Sequence, residues 1–407
     1  MRGQTMAEKI LSHHSGQEVW AGDLTIVNVD QVMASDTTAP LTIKAFQEMN
    51  GEQVWDSEKI VFVIDHAAPS PNERISNLHT MMREFAKDQN IKLYDVGEGI
   101  CHQLMIENNH VQPGDLVLGA DSHTCTYGAI GAFSSGIGST DLAGILLTGK
   151  TWLKVPETLK VTLHGEMPAG VTSKDIILSL SGILGINGAT YQAIEFTGEA
   201  LDGISRDGRL TLSNMVVEIG AKAGLIPTED SFPDENAKYS REIEINVSEL
   251  EPQIACPHSP DNIKGISLLE DIKIDYAFLG SCTNGRLEDL HTAAEVLKGK
   301  KIADGVRMLI TPASKKVYQH AILDGTAMIL MEAGATITSS GCGACVGTHM
   351  GIPGNGETVI SSTNRNFQGR MGNKNASIYL GSPAVVAASA LYGTLTDPRK
   401  IREVNAK

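Results

Sequence analysis

A chain of 407 residues, 42% hydrophobic and 20% charged, has the composition of a globular protein and the length for two to three domains, each with its own core. Its 48 acidic and 33 basic side chains leave a net charge of −15, which argues against nucleic-acid binding, since that relies on clustered Lys and Arg to displace counterions. No apolar run approaches the roughly 18–20 residues that cross a bilayer, and Glu8 stands where a signal peptide would begin its apolar stretch, so a cytoplasmic location without membrane association is expected.

From the N-terminus, residues 5–15 predict a short amphipathic helix, and 23–29 alternate like a strand. Thr38-Ala39-Pro40 opens a helix through Met49, with Pro where its missing N–H is harmless. Residues 59–64 are a nearly continuous apolar run, typical of a strand buried on both faces, and end at Asp65-His66. A helix at 76–88, a strand at 91–96, a short helix at 101–107 and a strand at 115–120 follow. The last of these ends at Asp121-Ser122-His123. Residues 129–150 are Gly-rich and helical in their second half. Strands alternating with helices predict an α/β protein with doubly wound, mostly parallel sheets, whose ligands sit beyond the carboxyl ends of strands. Asp65-His66 and Asp121-Ser122-His123 both fall at such ends.

Beyond Pro156, strands are expected at 158–166 and 190–199 and helices at 172–183 and 211–223. Residues 252–262 carry three prolines and read as a linker. The domains predicted are therefore 1–156, 157–262 and 263–407. In the third, a strand at 274–279 runs into Gly280-Ser281-Cys282-Thr283-Asn284-Gly285-Arg286, followed by a helix at 287–297 and a strand at 307–310. A helix at 314–333 and a strand at 335–339 lead to Gly341-Cys342-Gly343-Ala344-Cys345.

The six cysteines are read as free thiols or metal ligands, because the chain is large and shows no secretory signal. Cys342-x-x-Cys345 alone fits a redox dithiol, half a zinc site, two cluster ligands or two ordinary buried thiols. Cys282, on a second Gly-flanked turn after a strand, makes three soft ligands with no fourth. That count suggests an iron–sulfur cluster with one iron left open; a Cys₃His zinc site using His349 is the alternative.

Five segments carry a family resemblance: Val61-Phe62-Val63-Ile64-Asp65-His66, Gly119-Ala120-Asp121-Ser122-His123-Thr124, the two cysteine turns, and Ser362-Thr363-Asn364-Arg365-Asn366-Phe367-Gln368-Gly369-Arg370-Met371-Gly372. Over nearly its whole length the chain resembles the large subunits of the aconitase superfamily, most closely the 3-isopropylmalate dehydratase and homoaconitase branch. The resemblance implies aconitase-like three-layer α/β/α domains around a central cleft. It implies a [4Fe–4S] cluster on Cys282, Cys342 and Cys345 with one open iron. The implied reaction isomerises a 2-hydroxy dicarboxylate by loss and re-addition of water, with 3-isopropylmalate leading and homocitrate, dimethylmalate and citramalate-like acids as alternatives. An iron–sulfur redox or sensor protein is the reading from a different class.

By the same resemblance Asp65-His66 protonates the departing hydroxyl, His102 pairs with Asp121, and Ser122 and His123 complete that turn. Asn214 and Glu218, four apart on one predicted helix face, are implied near the cluster. Asn364, Arg365 and Arg370 are implied as substrate and cluster contacts, Arg being suited to carboxylates through its planar fork. Ser35 stands where aconitases carry Gln, which argues against citrate-type recognition, and Ala344 replaces a common Pro. The chain ends about where the family's swivelling fourth domain begins, so a small partner subunit is expected to bring the base and the substrate loop.

Overall fold

A computed structural model describes residues 2–269 and 271–401. They form two compact units: residues 2–95, 101–164 and 187–245, and residues 96–100, 165–186 and 246–401. No described helix is long and apolar enough to cross a membrane.

The strands of the first unit are β1 (Leu24–Asn28), β2 (Gln31–Ser35), β3 (Ile60–Val63), β4 (Lys92–Tyr94), β5 (Leu116–Gly119), β6 (Phe133–Gly136), β7 (Lys150–Lys154), β8 (Thr158–His164), β9 (Ala193–Thr197), β10 (Ala223–Leu225) and β11 (Arg241–Asn246). A five-stranded parallel sheet runs β4-β3-β2-β5-β6. Its central strands are buried at every position, as their apolar runs require. Phe62 of β3 stacks on Phe85 of the helix Glu73–Asp88, and Phe85 meets Phe46 of the helix Ala39–Glu48 edge-on, 5.6 Å between centroids. These contacts lock two helices to the sheet. A second sheet runs β10-β9-β8-β11, and β1 and β7 pair as an antiparallel ribbon.

The second unit adds β12 (Gln253–Ala255), β13 (Ile263–Gly265), β14 (Tyr276–Leu279), β15 (Arg307–Ile310), β16 (Thr336–Ile337), β17 (Thr358–Ser361) and β18 (Ser377–Leu380). They form one sheet, β13-β12-β18-β17-β14-β15-β16, parallel from β18 to β16 and antiparallel at the β12 and β13 edge. The Pro-rich stretch read as a linker thus supplies a strand. Its prolines flank β12 and leave the ladder N–H groups of 253–255 intact.

Two predicted helices need correction. The 314–333 helix is two, Lys315–Leu323 and Thr326–Ala333, because Gly325 turns left-handed at φ 85°. A Cβ there would meet nothing within 4 Å, so the backbone conformation alone sets the penalty of a side chain. Gly325→Ala is expected to destabilise the chain by about 1–2 kcal/mol, read as a lowered thermal midpoint. The 211–223 helix is shifted: an α-helix covers Arg206–Met215 and a 3₁₀ segment follows at Val216–Ile219.

Candidate active site

In the first unit the parallel sheet delivers its polar residues at the carboxyl ends of strands. Asp36 follows β2, Asp65 and His66 follow β3, and Asp121 follows β5. His66 Nδ1 lies 2.7 Å from Asp65 Oδ1, and its Nε2 lies 3.5 Å from Asp121 Oδ2. Burial opposes charge on this ring, but the carboxylates of Asp65 and Asp121 outweigh it and hold the His66 pKa well above the ordinary imidazole range. Asp121 is the converse. Burial would raise it, yet His102, His123 and His66 hold it well below the usual carboxylate range.

The other oxygen of Asp65 accepts the backbone N–H of Cys101 at 2.8 Å, which pins the start of the helix Cys101–Glu107 and so places His102. His102 Nε2 is 2.9 Å from Asp121 Oδ1 and its Nδ1 is 3.0 Å from the Tyr127 hydroxyl. Both nitrogens are therefore engaged inside the protein, so His102 orients Asp121. His123 donates its backbone N–H to Asp121 Oδ1 at 2.8 Å, and its Nε2 lies 2.8 Å from Glu218 Oε1. Asn214 donates from Nδ2 to Thr126 Oγ1 at 2.8 Å. Asn214 and Glu218 are both buried. They lie on successive α and 3₁₀ segments, where one helical face was predicted. Ser122, half-buried, sits on the same turn and borders a cavity of about 580 Å³ that also meets Asp121, Trp152 and Lys222.

Asp36 was not predicted. One oxygen accepts the N–H groups of Asp65 and His66 at 3.3 and 2.8 Å. The other accepts from Ala67 N–H at 2.8 Å and faces His79 Nε2 at 3.1 Å. Among the described residues, Asp36, Asp65 and His66 are the one group of three metal-type ligand atoms within 4.8 Å of one another. Their oxygens already have hydrogen-bond partners, so the group positions the imidazole. Burial raises the Asp36 carboxyl, but His79, His66 and the backbone donors lower it to about 2. A depressed carboxyl stabilises above its unfolded pKa of 3.8 and loses that stabilisation as pH falls through 2. The interval corresponds to about 2 kcal/mol. In urea unfolding, the gap between wild type and Asp36→Asn should reach at least that size at pH 7 and narrow below pH 4.

In the second unit Cys282 follows β14, Cys342 and Cys345 follow β16, and Asn364 and Arg365 follow β17. None of the six cysteines of the chain forms a disulfide. Cys282, Cys342 and Cys345 are 7%, 3% and 1% exposed. The Asn364 carboxamide bridges two of them: Nδ2 is 3.4 Å from Cys282 Sγ and Oδ1 is 3.8 Å from Cys345 Sγ. Arg370 Nη2 lies 3.7 Å from Cys345 Sγ, and Arg365 is half-buried in the same loop. Arg286, itself buried, donates to the carbonyls of Thr283 and Cys282 at 2.7 and 2.6 Å. Ser281 between Gly280 and Cys282 is held at φ 78°, an uncommon state for a side-chain-bearing residue and a form of strain that clusters at functional turns. A Cβ on Gly347 would fall 2.1 Å from the Gly372 nitrogen, so the cysteine turn meets the Arg370 loop only as glycine.

Lys174 also escaped prediction. It is fully buried on the helix Ser173–Leu184, and its Nζ donates to Asn284 Oδ1, Ser362 O and Thr363 O at 3.3, 2.8 and 2.7 Å. Burial pushes its pKa down to about 7 against the pull of Asp289, Asp175, Cys345 and Cys282.

The donor set fits a polynuclear cluster better than zinc. The three sulfurs are not all within 4.8 Å of one another. Zinc, with Zn–S near 2.3 Å, would draw thiolates to about 3.8 Å apart. Ser340 Oγ is buried beside Cys342 without a hydrogen-bond partner, among the described residues, as expected of a lining made for a further group.

The profile of the Aconitase family (aconitate hydratase) matches residues 8–233 and 263–393. The chain belongs to the aconitase family. The 3-isopropylmalate dehydratase large subunit 1 of Methanopyrus kandleri is 48% identical over 98% of this chain and 99% of its own length. That of Thermotoga maritima is also 48% identical, with the same coverage. The homoaconitase large subunit of Thermus thermophilus is 46% identical over 98% of this chain and 99% of its own. Among solved structures, aconitase X of Thermococcus kodakaraensis in its holo-form shares the fold, with a TM-score of 0.54 and 14% identity over 84% of each chain. Aconitase-family membership makes the chain a hydro-lyase, implies an iron–sulfur cofactor, and joins the chain to relatives named as large subunits.

Proposed function

We propose that this chain is the large subunit of a 3-isopropylmalate dehydratase, and that Cys282, Cys342 and Cys345 hold a [4Fe–4S] cluster with one iron free of protein ligand. Such a cluster, when bound, supplies Lewis acidity at its open iron toward a substrate hydroxyl and carboxylate.

The observation that carries the reading is His66 held between Asp65 and Asp121. The geometry makes it a proton-bearing imidazole at neutral pH, as a general acid for a departing hydroxyl must be. In the dehydration half-reaction the C–O bond breaks, His66 Nε2 gives its proton to the leaving hydroxyl, and a base removes a proton from the neighbouring carbon. In rehydration the same groups run in reverse at the adjacent carbon. Asp65 fixes the ring through Nδ1, while His102 and Tyr127 fix Asp121. His123 and Glu218 form a second buried proton-sharing pair. Asn364 orients two of the thiols, and the forks of Arg365 and Arg370 suit the substrate carboxylates. The base and the substrate loop belong to a small partner subunit in the cytoplasm. Ser35, buried where aconitases carry Gln, supports a substrate other than citrate.

Homoaconitase is the second reading, since relatives of that name from Thermus thermophilus and Methanosarcina mazei are 46% and 48% identical. Anaerobic assay with the cognate small subunit separates the two. Ultraviolet absorbance of the alkene should rise with 2-isopropylmalate and stay flat with homocitrate, dimethylmalate and citramalate. A cluster-loaded complex that produces no alkene from any of them would sink the hydro-lyase assignment.

A further inference from the structure

We propose that Lys174 is a positioning and charge-setting residue of the cysteine site, holding the Cys282 turn to the Asn364 loop and lodging a buried positive charge behind the thiols. The inference rests on the cluster reading above.

The geometry is that of an ammonium. A protonated lysine has three N–H donors and no acceptor, and Lys174 meets three acceptors and no donor. Two of those acceptors are the carbonyls of Ser362 and Thr363, the residues immediately before Asn364. The third is the side chain of Asn284, two residues after Cys282. Asn284 is itself oriented by Asp289, to which its Nδ2 donates at 3.0 Å. Asn364 donates to Thr283 Oγ1 at 3.0 Å as well as reaching both sulfurs. One side chain from a different helix therefore ties together the two loops that bracket the thiols.

The position also matters electrostatically. Three thiolates gathered in a pocket this closed carry charge that solvent screens little. Lys174 is surrounded by low-dielectric protein, with Asp175 and Asp289 as the nearby carboxylates. Arg286 is a second buried cation, but its guanidinium is spent on the carbonyls of the Cys282 turn. Burying a lysine is costly unless its charge is used, and thiolates bound to iron use it.

The test is made on the full chain with its small subunit, reconstituted anaerobically with iron and sulfide. In Lys174→Gln the midpoint for one-electron reduction of the cluster, followed by electron paramagnetic resonance, should fall by at least about 59 mV, a tenfold change in equilibrium constant. Lys174→Arg, which keeps the charge, should stay near wild type. An unchanged midpoint in a folded, iron-loaded Lys174→Gln protein means a strut without electrostatic effect, and overturns the proposal. Should Lys174→Gln fail to fold, Asp289→Asn carries the test. Loss of that negative charge should raise the midpoint, and no movement overturns the proposal equally. A wild-type complex that takes up no cluster removes the cofactor reading and this inference together, a result distinct from either variant's.

Discussion

His66→Gln is expected to lower kcat by about 10²–10⁴-fold, the range of a positioned general acid, with KM changed much less. The reason is the pair of carboxylates at its two nitrogens. They keep the ring protonated against burial, so wild-type activity should persist through neutral pH and fall on the alkaline side. The sign follows from linkage. A raised imidazole pKa gives stability that is complete below the unfolded value near 6.5 and is lost as pH rises through the folded value. The alkaline limb of the kcat profile should therefore report His66 and vanish in His66→Gln. Asp65→Asn removes one of the two carboxylates that keep the ring charged, so it should lower kcat and move the alkaline limb toward neutral pH. Kinetics within tenfold of wild type for His66→Gln would remove this residue from proton transfer.

Cys345→Ser should release the cofactor and abolish turnover. The chain offers three thiols to the site, and Cys345 is the one touched by both Asn364 and Arg370. A Lewis-acid contribution of several kcal/mol, at 1.36 kcal/mol per decade, corresponds to at least about 10³-fold in rate. Iron analysis and the visible absorbance of the purified protein give an activity-independent readout. Cys101→Ser, Cys125→Ser and Cys256→Ser are the internal controls: these thiols are also buried and form no disulfide but lie on other elements, and their variants should keep full iron. Full iron in Cys345→Ser would refute its place as a ligand.

Much of this was legible because several of the proposed site residues follow a short apolar run. Residues 59–64 and 115–120 announce β3 and β5, and the polar residues that end them belong to the proposed site. Strand β2 was missed. It begins with Gln31 and ends with Ser35, so only the three apolar residues Val32, Met33 and Ala34 mark a strand buried on both faces. Strand β12 was hidden by flanking prolines that punctuate the edge without breaking it. Asp36 and Lys174 were missed for a different reason. The partners of Asp36 are 29 to 43 residues away, and those of Lys174 are 110 to 189. A lone Asp after a strand, or a Lys near the start of a helix, carries no local mark of such contacts. The break at Gly325 was the opposite case, since the glycine was in plain view within a helical pattern.

The turns beyond the strands carry the proposed chemistry, while the large apolar clusters are built from the strands and the helices packed on them. Mutational drift should therefore split into two phenotypes. Changes among Phe46, Phe62 and Phe85, or among Leu290, Ala293 and Leu297, should reduce the amount of soluble protein recovered while leaving its specific activity intact. Changes on the turns should yield normal amounts of inert protein. Asp36 and Lys174 belong to both groups, each buried like the interior and each bonded to the turns. In a library selected for a new 2-hydroxy acid, these two positions should be the last to change.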